Sequence, residues 1–214
     1  EKTGLLTTGI EIICDSLVIN ENISLENFSS AKLGVSLFNV KYPLKDNYHR
    51  AEIELINFNL NKGDIALKNV VFEPKDSKAI FAKRKGVEES CIKIKADSIA
   101  VSGWNWKELK AVFVEEIKVV SANLYVHKDK NYPLPDDRFV PILTEVLRKS
   151  DIPIYIKKVK IEDSFIEYEQ LPKDNTKVGN LHFANVEGEI TNISNVNDSI
   201  KESGNSLKIE ASGN

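Results

Sequence analysis

Apolar and polar residues alternate along much of this chain, and that alternation narrows its possible folds more than any other feature. Ala51-Glu52-Ile53-Glu54-Leu55, Ile92-Lys93-Ile94-Lys95-Ala96, Ile152-Pro153-Ile154-Tyr155-Ile156 and Leu207-Lys208-Ile209 each carry one apolar edge and one polar edge. Side chains on a strand point to opposite faces in turn, so each segment reads as a strand with one dry and one wet face. Continuous apolar runs of the parallel-sheet kind are missing, and no regular alternation of helix and strand marks βαβ units. The expected fold is mostly β: an antiparallel meander of long bulged strands forming an elongated curved sheet or groove.

A short unit recurs along this pattern. Phe58 to Ile65, Ile117 to Leu124 and Val159 to Ile166 each read apolar, any, apolar, two residues, small, any, apolar. Ile99 to Gly103 is a shorter version, and Leu17 to Asn22 a looser one. After the small residue the apolar positions change parity, as they do at a β-bulge or tight turn. Gly63 and Gly103 suit such a place because glycine tolerates positive φ. Repetition of one such unit points to an elongated, solenoid-like stack.

One stretch departs from the alternation. Phe139, Ile142, Leu143, Val146 and Leu147 fall on one side of a helix running from about 136 to 149. Asp136 or Asp137 caps its start, Arg148 and Lys149 sit in its last turn, and Pro153 prevents continuation. The basic run Lys83-Arg84-Lys85 reads as a solvated loop, and Asp174-Asn175-Thr176 as a turn.

The 214 residues form a single β-repeat domain in this reading, with 42% hydrophobic and 29% charged residues. A net charge of -3 leaves no electrostatic footprint for nucleic acid. Cys14 and Cys91 make no metal-ligand spacing and leave one disulfide or two free thiols open. His49, His127 and His182 lie far apart, and no GxSxG, HExxH or glycine-rich phosphate loop is present. No catalytic residue, metal or cofactor is therefore expected. No run of apolar residues is long enough to span a bilayer as a helix. The chain begins at Glu1 and contains no methionine, which reads as a fragment of a longer protein with any membrane anchor upstream.

Several phrases between Tyr125 and Ile193 resemble the AsmA-like proteins of the Gram-negative envelope. They are Tyr125-Val126-His127-Lys128-Asp129-Lys130, Pro133-Leu134-Pro135 and the short helix, followed by Ile152 to Ile161. Phe165-Ile166-Glu167-Tyr168-Glu169 and Gly179 to Ile193, ending Ile190-Thr191-Asn192-Ile193, complete the likeness. It covers about a third of the chain directly. It implies a periplasmic protein anchored to the inner membrane by an upstream helix. It also implies a curved β-sheet whose apolar groove takes part in phospholipid transport or outer-membrane homeostasis. The expected partners are a phospholipid or other acyl lipid and other envelope proteins, with membrane contact through regions outside this segment.

An apolar strand face needs a cover, either a second sheet or a ligand. If acyl chains supply it, the paired apolar positions Ile99, Val101, Ile117, Val119, Val159 and Ile161 are the candidate lining. A non-catalytic scaffold binding another envelope protein is the alternative. A hydrolase assembled by the fold would require a closed pocket with His127 or His182 beside a carboxylate.

Overall fold

The structure is a computed structural model describing residues 5–15, 32–42, 44, 46–105, 111–135, 152–174, 177–195 and 208–214. Nine strands form one open sheet in chain order. They are β1 (Gly9–Asp15), β2 (Lys32–Tyr42), β3 (His49–Asn59), β4 (Asp64–Pro74), β5 (Ser90–Ser102), β6 (Val112–Asp129), β7 (Ile154–Leu171), β8 (Gly179–Ser194) and β9 (Lys208–Ser212). Among the described residues no second sheet covers either face, so the architecture is an open sheet and not a sandwich.

Every neighbouring pair is antiparallel except β6 and β7, which run parallel. This departs from the expected antiparallel meander. Residues 130–153 return the chain from the end of β6 to the start of β7, as a parallel pair requires. The predicted helix at about 136–149 falls within this crossover, outside the described residues. The recurring unit is real in this pair, where Ile117 lies beside Val159 and Val119 beside Ile161. The other likenesses have different causes. Phe58 to Ile65 spans the β3–β4 hairpin, Ile99 to Gly103 ends β5, and Leu17 to Asn22 lies outside the described residues. The sheet is thus a run of paired strands, not the expected stack of solenoid units.

The register explains the change of parity. One row crosses all nine strands as Ile12, Val35, Phe58, Ile65, Val101, Ile117, Val159, Ile190 and Ile209. The next same-face row is Ile10, Leu37, Ile56, Leu67, Ile99, Val119, Ile161, Gly188 and Ala211. Beyond it the apolar positions shift by three residues instead of two. They resume as Val40, Ile53, Val70, Ala96 and Ala122, then as Tyr42, Ala51, Phe72, Ile94, Leu124, Ile166 and Phe183.

At the break, Asn39, Asn69, Ser121 and Asp163 stand at one level on β2, β4, β6 and β7, with φ of 50, 49, 51 and 46°. Asn185 on β8, with φ of 50°, sits beside the irregular register of β7 and β8. A residue in this conformation resets the alternation of its strand. On each strand that crosses the line, apolar positions of one parity below it and of the other parity above it then share a face. Burial agrees: Val40, Ala96, Ser164 and Val186 above the line, and Ile56 below it, are buried. A second left-handed line passes through Gly63, Gly103 and Asn192, with φ of 68, 66 and 61°. Both glycines thus take the conformation expected of them. Beyond that line parity changes again, to Val114, Ile156 and Ile193.

The helix of the described structure is α1 (Lys78–Lys85), between β4 and β5. Lys83-Arg84-Lys85 forms its last turn and not a loop, where three cations complement the negative end of the helix dipole. Gly86, with φ of 68°, ends it by donating its N–H to the Ala82 carbonyl. Phe81 is 1% exposed and packs its ring against those of Tyr48 and His49. The helix therefore closes one end of the sheet beside the last apolar rows.

Candidate functional site: one continuous apolar face

The six predicted lining residues come together. Ile99 pairs with Val119 and Val119 with Ile161; Val101 pairs with Ile117 and Ile117 with Val159. They form a block two rows deep on β5, β6 and β7, and each is half-buried. The strands on either side extend the same two rows. Above the line of left-handed residues, Phe72, Leu124, Ile166 and Phe183 continue the face. The sequence hides that continuation, because in a regular strand a change of parity means a change of face. Ile10, Ile12, Tyr42, Ile94, Leu181, Phe183 and Ile209 are exposed on this face. Single exposed apolar residues are ordinary, but a contiguous field of them marks a surface that meets something.

The opposite face carries charged side chains, several of which pair with one another. Glu162 accepts from Lys118 and Lys160, each at 2.8 Å, and these bonds hold its carboxyl below the usual range. Glu73 accepts from Arg50 and, at 3.2 Å, from Lys93. The Arg50 bond is the main reason its carboxyl is lowered, against the opposing effect of burial. A hollow of about 680 Å³, bordered by Ile13, Gly34, Ser36 and Asn57, opens among the small residues of β1 to β4.

One cluster of titratable side chains sits where α1 meets the sheet. Lys78 donates to Glu169 at 2.6 Å and to the Tyr125 hydroxyl at 3.2 Å. Tyr125 also donates to Glu169, and His127 Nδ1 lies 3.2 Å from the same carboxylate oxygen. Burial pushes the Glu169 carboxyl up, but the bonds from Lys78 and Tyr125 outweigh it and hold the group below its usual range. Burial, reinforced by the bond to Glu169, pushes the Tyr125 hydroxyl up to about 12.

Cys91 pairs with His127 across β5 and β6, and both are buried. Burial also pushes the Cys91 thiol up, which keeps it protonated and unreactive. A histidine beside a carboxylate is therefore present, but it ties a helix to a sheet. Neither it nor Cys91 borders the 680 Å³ hollow, nor those of about 620 and 390 Å³.

Cys14 is exposed on β1 and Cys91 buried on β5, both as free thiols. Four strand spacings, roughly 19 Å, separate them, too far for a disulfide. Trp104 follows β5, where its N–H donates to the Gly63 carbonyl. Trp106 lies outside the described residues. Among the described residues no group of three or more histidine, cysteine or acidic side chains is arranged to hold a metal. No helix among them is long and apolar enough to cross a membrane.

No family model, curated protein or solved structure matches this chain.

Proposed function

We propose that this protein is a non-catalytic lipid-handling segment of the AsmA-like kind. In this reading its apolar face carries acyl chains in phospholipid transport or outer-membrane homeostasis, in the periplasm of a Gram-negative cell. The observation that supports the reading is the pair of apolar rows running through all nine strands, with no second sheet over them among the described residues. Such a face holds a hydrocarbon chain by area, at about 0.8 kcal/mol per methylene covered, and needs no specific polar group. Several charges on the other face pair with one another, at Glu162, Glu73 and Glu52, whereas the apolar rows offer only hydrocarbon to a ligand.

Native mass spectrometry of protein purified from membranes tests the reading. The expected result is a bound population heavier by the mass of a phospholipid, removed by organic extraction. Purified and extracted protein of identical mass, free of acyl chains, would overturn it. A stoichiometric protein partner recovered without lipid would favour the scaffold role instead.

A further inference from the structure

The α1 end of the sheet carries a surface that the acyl-chain reading leaves unused. Lys75 and Lys83 are exposed and have no carboxylate partner among the described residues. Arg84 and Lys85 are held differently. Arg84 pairs with Asp76 and Lys85 with Glu89, and both stack over the Tyr48 ring. Those contacts fix the helix and leave Lys83 directed outward. Ile80 is 50% exposed and lies on the same side of the helix as Lys83 and Arg84, at i, i+3 and i+4. Between residues 75 and 89, five basic groups (Lys75, Lys78, Lys83, Arg84, Lys85) face three acidic ones (Asp76, Glu88, Glu89). The patch is therefore positive by two charges, within a chain whose net charge is -3.

We propose that α1 and Lys75 form a docking site for the surface of an anionic lipid bilayer. The proposal rests on the acyl-chain reading, because α1 stands where the apolar rows end. Unpaired lysines meet lipid phosphates, while the outward isoleucine inserts among the acyl chains just beneath. An acidic protein partner would be met by the charges but would gain nothing from an isoleucine at their centre. The patch offers too few unpaired charges for a nucleic-acid backbone.

Flotation with vesicles tests the site. Wild-type protein is expected to float with vesicles of one part phosphatidylglycerol to two parts phosphatidylcholine, and not with phosphatidylcholine alone. Binding should weaken as salt is raised. Lys83→Glu reverses two units of charge and is expected to lower partitioning roughly twenty-fivefold, about fivefold per charge. Ile80→Ser should lower it severalfold. Lys157→Glu makes the same charge change toward the opposite end of the sheet and should leave binding unchanged. Melting curves establish that each variant is folded.

Equal binding to neutral vesicles, or indifference to Lys83→Glu, would overturn the proposal. So would loss of vesicle binding to a polyglutamate competitor that the protein prefers. Protein that carries acyl lipid but ignores anionic vesicles would sink the docking site and spare the acyl-chain reading. Protein that docks on vesicles through Lys83 without retaining lipid would do the reverse.

Discussion

Asn39, Asn69, Ser121 and Asp163 do more to shape this molecule than any of its large apolar residues. Each takes a conformation that costs an ordinary residue about 1–2 kcal/mol and that asparagine, aspartate and glycine tolerate best. A β-branched replacement suffers most. Asn69→Val is expected to destabilise the fold by about 1–2 kcal/mol, and Asn69→Gly by only a few tenths, in urea denaturation. Equal effects would mean that the left-handed backbone at Asn69 does not matter. Gly63 is more restricted. A Cβ added there would sit 2.1 Å from the Trp104 carbonyl oxygen, at a φ of 68°. Gly63→Ala should cost about 2–3 kcal/mol in the same measurement. Gly63 and Gly103 could be picked out from the sequence because glycine announces positive φ. Asn39 and Asn69 could not, since Asn57, Asn59, Asn123 and Asn180 also stand in strands and take no positive φ. Only the register shows that they stand in one line.

At the scale of elements, alternation located strands well, because a one-faced strand has a period that nothing else shares. Two elements escaped it. The parallel pairing of β6 and β7 depends on a crossover, and the strand sequences carry no sign of its direction. The match of Ile117–Leu124 to Val159–Ile166 was its trace, read as repetition. Helix α1 has eight residues and four basic groups, too short and too polar to show a helical period. Its signals were Ser77 before it and Gly86 after it.

Its hold on the sheet depends on Glu169. That carboxyl is lowered in the folded state, so its contribution is present above the unfolded carboxylate pKa and lost as pH falls through the folded value. Amide protection of α1 in hydrogen exchange should therefore fall, relative to the strands, on acidification through the ordinary carboxylate range and below it. Glu169→Gln should lower that protection at neutral pH and flatten the pH dependence. Unchanged protection in the variant would mean that Phe81 alone docks the helix.

For the whole molecule, the paired apolar positions on β5, β6 and β7 were legible from the sequence, and the structure assembles them as one block. Their continuation beyond the left-handed line was not, because a parity change reads equally as a swap of faces. The substitution Val119→Asp places a carboxylate in the middle of that face. It should reduce co-purifying lipid by at least tenfold while leaving the sheet folded, as judged by circular dichroism. Lys118→Asp, one residue away on the opposite face, should leave lipid retention unchanged.

In the proposed function, the apolar rows on both sides of the line make one lipid-bearing face. Site-specific photocrosslinking to a labelled phospholipid tests it most directly, with the probe placed in turn at Val119, Leu124, Lys118 and Tyr125. Lipid adducts are expected at Val119 and Leu124, on either side of the line, and none at Lys118 or Tyr125. Adducts at Val119 and Tyr125 but not at Leu124 would place the upper rows on the opposite face and contradict it.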